Sequence, residues 1–329
     1  MLMQQAFLIF LLYGLYFHCG SETHIAGKAP DIELNDGNKI PVVALGTGRK
    51  TEADEFRQAV LWAIEEGYRH IDTAALYENE PQVGRGIADA IAKGLVKRDD
   101  LFITTKLWND RHAQDQVVPA LRESLERLGL DYVDLYLIHC PVAQNADGSP
   151  SDIDYAETWR GMEVAKTLGL AKSIGVSNFN SSQLDRLFNN SQIKPAVNQI
   201  EVNPTMTQVP LVSHCHKLGI AVMACSPLGF LVSRENKNPP PPHNDDPILV
   251  AIADQYGKST SQVVLRYLLE RGLIIIPSST NQKRLAQNLD LFDFKLTAEE
   301  VATIGQFNKN VRVVNATILK DFPNYPFES

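Results

Sequence analysis

Residues 117–139 read VVPALRESLERLGLDYVDLYLIH, and the two halves of this stretch follow different periods. Val117–Leu128 repeats apolar residues at spacings of three and four between charged ones, the stripe of an amphipathic helix. Asp134–Ile138 is a short, almost continuously apolar run, as expected of a strand covered on both faces. The same two patterns alternate along the chain. Further short apolar runs stand at Val42–Leu45, His70–Asp72, Phe102–Thr105, Ser173–Val176, Ala196–Ile200, Ala221–Ala224 and Leu273–Ile276. Amphipathic segments lie between them at Glu55–Glu66, Pro81–Lys93, Tyr155–Thr167 and Thr260–Glu270, with Phe56, Val60, Ala63 and Ile64 marking the stripe of the first. Eight strands alternating with helices predict an α/β fold of the (β/α)8 TIM-barrel type. A doubly wound sheet would need a Gly-x-Gly-x-x-Gly turn after its first strand, and Gly46-Thr47-Gly48-Arg49-Lys50 has no third glycine in register.

The turn Asn35-Asp36-Gly37-Asn38 predicts a β-hairpin ahead of the barrel. Three segments exceed ordinary connections: 141–154 after the fourth strand, 227–246 after the seventh, and the tail 305–329. The second contains Pro239-Pro240-Pro241-Pro242, expected as a polyproline II stretch. The first two follow the carboxyl ends of strands, where barrel enzymes build their sites, and read as pocket walls or lids.

With 44% hydrophobic and 21% charged residues, the 329-residue chain is neither disordered, collagenous nor a coiled coil. Lys+Arg number 31 against 39 Asp+Glu, a net charge of −8, which argues against a nucleic-acid partner. Ala6–Phe17 reads AFLIFLLYGLYF, and the small residues Cys19-Gly20-Ser21 follow it. Residues 1–21 are therefore expected to be a signal peptide, or a membrane anchor if uncleaved, with a secreted single domain at 22–329 and no membrane span after processing. Asn180, Asn189 and Asn315 open glycosylation sequons, which matter only on the secretory route. Cys140, Cys215 and Cys225 are too few for a disulfide framework in a core of this size.

Four polar residues stand at or just beyond successive strand ends: Asp72, Tyr77 five residues later, Lys106, and His139. In a barrel these ends converge on one mouth. A free tyrosine is a poor acid at neutral pH, and a neighbouring ammonium is expected to lower its pKa toward the working range. A buried lysine needs a counter-ion, for which Asp72 is available, and His139 could orient a carbonyl oxygen by hydrogen bond. The set has neither a good nucleophile nor metal-ligand spacing, so it suits carbonyl reduction with a cofactor supplying hydride. His139-Cys140 and Cys215-His216 could be nucleophile or metal pairs, but sequence neighbours do not face one another, and no metal is expected. Asp72, Glu78 and Glu201 could form a glycosidase pair, a reading that leaves Lys106 without a role.

These motifs resemble the aldo-keto reductase family, with aldose-reductase-like character. The matching stretches are Leu45-Gly46-Thr47-Gly48, Gly67-Tyr68-Arg69-His70-Ile71-Asp72-Thr73-Ala74, Tyr77-Glu78-Asn79-Glu80, Thr104-Thr105-Lys106-Leu107-Trp108 and Leu137-Ile138-His139-Cys140-Pro141. Ile174-Gly175-Val176-Ser177-Asn178-Phe179, Asn198-Gln199-Ile200-Glu201, Ser226-Pro227-Leu228-Gly229 and Ile276-Pro277 continue the match. The resemblance implies a monomeric NADPH-dependent oxidoreductase, with NADH as the other nicotinamide cofactor, acting on a small-molecule carbonyl through the tetrad Asp72, Tyr77, Lys106 and His139. It further implies that Ser177, Asn178 and Gln199 hold the carboxamide of the nicotinamide, that Ser226 and Leu228 line the pyrophosphate path, and that Ser279, Arg284 and Asn288 hold the adenosine end. Gly46, Thr47 and Asp72 would border the cofactor, while Gly48, Trp108, His139 and Cys140 would line the substrate pocket.

Departures from the family pattern narrow the expectation. Ser278 stands where a lysine for the 2′-phosphate is usual, leaving Arg284 with Lys283 beside it. Cys225 replaces the aromatic ring that stacks on the nicotinamide, and Gly48 and Cys140 replace tryptophans. Each change removes much of a ring that would bury about 150–250 Å². A wide pocket for a bulky ketone such as a steroid follows, and a secreted member of this kind resembles insect reductases of 3-dehydroecdysone. The remaining alternative is a family fold recruited for binding alone, with weak or no turnover.

Overall fold

The computed structural model describes residues 29–48, 54–232, 239–314 and 317–327. The signal-peptide reading of 1–21 and the Asn315 sequon lie outside these residues. Asp31–Glu33 and Lys39–Pro41 pair antiparallel, with Asp31 opposite Pro41 and Gly37 at a φ of 83°, so the expected hairpin forms. Eight parallel strands follow: β1 (Ala44–Gly46), β2 (His70–Asp72), β3 (Phe102–Leu107), β4 (Val133–Ile138), β5 (Ala171–Ser177), β6 (Val197–Glu201), β7 (Ala221–Cys225) and β8 (Ile274–Ile275). Neighbours in sequence are neighbours in space, and a parallel bridge between Val43 and Ile275 joins the two ends of the sheet into a barrel. The amide of Gly46 donates to the Pro277 carbonyl across that seam at 3.0 Å.

Every residue of β3 and β4 is buried, which is why these runs carry so little alternation in sequence. One cluster, including Leu135, Leu137, Val197, Met223 and Ile274, also contains Leu34 and Ile40 of the hairpin, which sits at the amino ends of the strands. A larger cluster contains β-branched and aromatic residues of the strands with the apolar stripes of the helices. Those helices are α1 (Glu55–Glu66), α2 (Glu80–Ala92), α3 (Gln114–Leu128), α4 (Tyr155–Thr167), α5 (Ser181–Asn190), α6 (Val209–Lys217), α7 (Pro247–Tyr256), α8 (Thr260–Glu270), α9 (Gln282–Leu289) and α10 (Ala298–Gly305). Capping boxes start α5, α8 and α10, where Asn180, Ser259 and Thr297 each accept from the backbone of the third helical residue.

Three local details emerge in the structure. Lys106 lies inside β3 rather than after it, because the strand runs two residues beyond Thr105. The segment 141–154 forms a small hairpin of Ala143–Gln144 against Pro150–Ser151. Within 239–242 the Pro241–Pro242 bond is cis.

Close helix packing depends on glycines of α2. A Cβ on Gly84 would collide with the Leu128 carbonyl at the end of α3, and one on Gly86 would stand 2.7 Å from the Arg57 carbonyl of α1. Gly86→Ala should therefore cost about 1–3 kcal/mol despite alanine's better helix propensity. Urea unfolding will measure it, and a neutral or stabilising result would show that α1 and α2 can separate freely.

Candidate active site at the carboxyl ends of the strands

Strand register brings the polar residues to one end. Gly46 pairs with Asp72, Asp72 with Thr104, Lys106 with Leu137, and Glu201 with Cys225. Lys106 is fully buried, and its ammonium has three acceptors: Asp72 Oδ1 at 2.6 Å, the Thr73 carbonyl at 2.9 Å and the Tyr77 hydroxyl at 3.4 Å. The second Asp72 oxygen accepts from Gln199 Nε2 at 2.8 Å, so the carboxylate is held from both sides of the barrel. Burial is the largest single influence and opposes charge on Lys106, but Asp72 and Tyr77 together outweigh it and hold the ammonium pKa above the usual lysine value.

Tyr77 corrects the expectation of a depressed pKa. Burial pushes its phenol up to about 12; the Lys106 charge pulls the other way and does not prevail. The hydroxyl is therefore fully protonated at neutral pH. His139 follows β4, its pKa driven well below the ordinary histidine value by burial and, secondarily, by Lys106, so the imidazole is neutral. Its Nδ1 is sealed without a partner among the described residues, which leaves Nε2 as the nitrogen available to a ligand. Edge-on rings of Tyr77 and Trp108, with centroids 5.7 and 5.2 Å away, fix its plane.

Beside this group, Ser177, Asn178 and Gln199 are interlocked. Ser177 Oγ and the Asn178 amide donate to the Gln199 carbonyl at 2.8 and 2.9 Å, and Asn178 Nδ2 donates to the His139 carbonyl at 2.9 Å. Glu78, Asn178 and Ser226, each just beyond a strand end or its turn, adopt left-handed backbone. Thr47 donates twice to the Asp72 carbonyl, and Asn79 Nδ2 donates to the Thr47 carbonyl at 2.8 Å while its Oδ1 accepts from Thr73. Ser279 is buried after β8, with Arg284 Nε 3.3 Å from its hydroxyl, and Asn288 is buried on the same short helix α9. Ser226 and half-buried Leu228 follow β7.

Gly48 does not leave the void expected of a missing ring. A Cβ there would stand 2.9 Å from Tyr77 Cζ, so the tyrosine occupies the space a larger residue would need. Cys140 and Cys225 are half-buried, and burial pushes both thiols up to about 12, which leaves them protonated and unsuited to nucleophilic work. The glycosidase reading also fails: Asp72 is committed to Lys106 and Gln199, and Glu201 Oε1 and Oε2 accept the Val313 and Val314 amides at 2.6 and 3.0 Å. Sequence reasoning gave no role to Asn79, to the tail contact of Glu201, or to Asn109 and His112. The last two are buried beyond Trp108 with their side-chain polar atoms unpartnered among the described residues. Only the contacts of Glu201 and Asn79 across 112 and 32 positions reveal them. A cavity of about 580 Å³ at the opposite end of the strands, among Arg69, Asp134 and Lys172, includes none of the four central residues.

A family model described as the Aldo/keto reductase family matches residues 42–309. Aldo-keto reductase AKR2E4 of Bombyx mori is 66% identical over 307 residues, covering 92% of this chain and all of that protein. The crystal structure of AKR2E4 in complex with NADP superposes with a TM-score of 0.90 over 91% of this chain and 99% of its own. A structure of AKR2E5 complexed with NADPH, 44% identical, superposes at 0.89 over 92% of this chain and 94% of its own.

Lys106→Met should strand the buried Asp72 carboxylate and cost about 3–5 kcal/mol. Adding Asp72→Asn should recover most of that stability while activity stays absent. A single Lys106→Met variant that melts with the parent would show that the ion pair does not constrain the fold.

Proposed function

The chain belongs to the aldo/keto reductase family, and from that premise we propose that it reduces a bulky ketone, of the ketosteroid class and such as 3-dehydroecdysone, with Tyr77 as proton donor. It is an oxidoreductase, and its cofactor is NADPH. The observation that carries the assignment of roles is the Lys106 ammonium held between Asp72 and Tyr77 at the carboxyl ends of the strands.

The residues present fit the cofactor. Ser177, Asn178 and Gln199 offer an interlocked set of polar groups beside the tetrad, suited to a carboxamide. Exposed Arg284 at the amino end of α9, with Lys283 beside it, offers cations to an adenosine phosphate. Ser278 is exposed next to buried Ser279, so the lysine of the family pattern has no substitute at that position. Bound there, NADPH supplies the hydride.

This chain's own residues manage the proton. Neutral His139 can donate from Nε2 to a carbonyl oxygen and so orient it toward Tyr77. As negative charge grows on that oxygen, Tyr77 Oη gives up its proton, because an alkoxide is more basic even than a phenolate of pKa about 12. Lys106 sits 3.4 Å from the resulting phenolate and is the charge that stabilises it, while Asp72 and Gln199 keep the ammonium in place. Preference for a bulky ketone is supported by Cys140 and Cys225, two half-buried thiols where rings would narrow the mouth. Secretion is proposed on residues 1–21 alone, and a monomer on the resemblance alone.

Tyr77→Phe should lower kcat by about 10²–10⁴-fold while NADPH binding, followed by fluorescence, survives. Only the protonated phenol donates, and its pKa lies near 12, so reduction by the parent enzyme should lose no rate to tyrosine ionisation below pH 10. Retained reduction by the variant would remove Tyr77 from the mechanism. Cys140→Trp should cost a fused-ring ketone at least about ten-fold in kcat/KM and spare a short aldehyde. An equal loss for both, or better kinetics of the parent on the short aldehyde, would overturn the bulky-ketone reading.

A further inference from the structure

Asn79 stands at the N-cap of α2, where an asparagine ordinarily turns its side-chain oxygen to a free amide of the first helical turn. Here the side chain makes no such bond. It is buried, 4% exposed, and bridges two other residues instead. Nδ2 donates to the Thr47 carbonyl at 2.8 Å, and Oδ1 accepts from Thr73 Oγ1 at 3.0 Å. Thr47 and Thr73 are themselves fully buried, so neither group has water as an alternative partner.

The bridge encloses the proton donor. Thr73 follows β2 and Asn79 precedes α2, so their bond closes the two ends of segment 74–78, which carries Tyr77. Inside that loop the Tyr77 and Glu78 amides donate to the Ala74 and Ala75 carbonyls at 3.1 and 3.2 Å. The second bond reaches the end of β1. Thr47 precedes Gly48, whose backbone lies so close to the tyrosine that a Cβ there would stand 2.9 Å from Tyr77 Cζ. Thr47 is also held by its amide and hydroxyl, which donate to the Asp72 carbonyl at 3.0 and 3.1 Å. One carboxamide thus ties the loop that bears the phenol to the backbone that backs its ring. At 3.4 Å the contact between Lys106 and the Tyr77 hydroxyl is long for a hydrogen bond, so a small displacement of the ring breaks it.

We propose that Asn79 is a positioning residue whose carboxamide, by bridging Thr47 and Thr73, holds Tyr77 against Gly48 and within reach of Lys106. The bridge needs a donor and an acceptor on one planar group, which a carboxylate does not offer. Neither acidic neighbour replaces it: Glu78 is exposed, and Glu80 accepts from Thr105 Oγ1 and Arg127 Nε at 2.6 and 2.7 Å. The inference rests on Tyr77 as the proton donor.

A double-mutant cycle on the full-length enzyme tests this, read as single-turnover NADPH oxidation by a short aldehyde at saturating cofactor. Asn79→Ala should slow reduction about ten-fold or more in the parent. In Tyr77→Phe, which has no phenolic proton to place, the same change should cost less than about two-fold. A residue that merely supports the fold would slow both backgrounds equally; that result, or an unchanged rate in the parent, overturns the positioning role. Thr73→Val is the milder second variant, since it removes one bond of the bridge and keeps the Thr73 carbonyl that Lys106 uses. Should Asn79→Ala not fold, a loss of about three-fold from Thr73→Val, confined to the background with Tyr77, supports the bridge, and an equal or absent loss overturns it. Tyr77→Phe by itself keeps two failures apart. Retained reduction there removes the proton-donor assignment and the inference with it, whereas lost reduction with equal Asn79 penalties removes the inference alone.

Discussion

A lysine ammonium with no solvent exposure is the constraint around which this mouth is built. Lys106 is tolerable at the barrel's centre only because Asp72 Oδ1, the Thr73 carbonyl and the Tyr77 hydroxyl accept from it together. Satisfying it fixes the end of β2, the turn that follows, and the tyrosine that turn carries. Asp72 needs a partner for its second oxygen, and Gln199 reaches across from β6 to provide it. Gln199 in turn offers its carbonyl to Ser177 and Asn178, and Asn178 reaches the His139 carbonyl. Strands on different sides of the barrel are thus tied to one buried charge.

The same burial sets the chemistry. In a water-poor mouth each titratable group drifts toward its neutral form unless a specific charge holds it. His139 loses that contest and stays neutral, the thiols stay protonated, and Tyr77 keeps its proton although an ammonium lies beside it. Lys106 keeps its charge, with the Asp72 carboxylate next to it. A neutral donor poised next to a fixed cation costs no reorganisation when charge develops on a substrate oxygen.

Small residues tune the space around this group in two different ways. Gly48 makes room for the Tyr77 ring and so serves the tetrad itself. Cys140, just beyond β4, and Cys225, at the end of β7, are half-buried thiols where the family pattern has rings. The scaffold below needs none of this variation: its strands are covered on both faces and joined at the Val43–Ile275 seam.

Much of this was legible in one dimension. Period alone separated the helix at 117–128 from the strand at 134–138, because a strand buried on both faces cannot alternate and an amphipathic helix must. Alternation repeated eight times placed Asp72, Lys106 and His139 at strand ends, and a barrel brings such ends together whatever the loops do. The sequence also determined that Lys106 would need a carboxylate, since an unpaired buried ammonium is too costly. Tertiary structure alone decided the balance at Tyr77, because the competition between desolvation and one nearby charge depends on depth and distance, which residue spacing does not encode. It alone decided that Gly48 is filled by a ring and that Glu201, which reads in sequence as another acidic residue near a strand end, grips the backbone of residues 313 and 314. Backbone N–H groups are the same at every non-proline position, so no side-chain pattern announces where a carboxylate will find two of them.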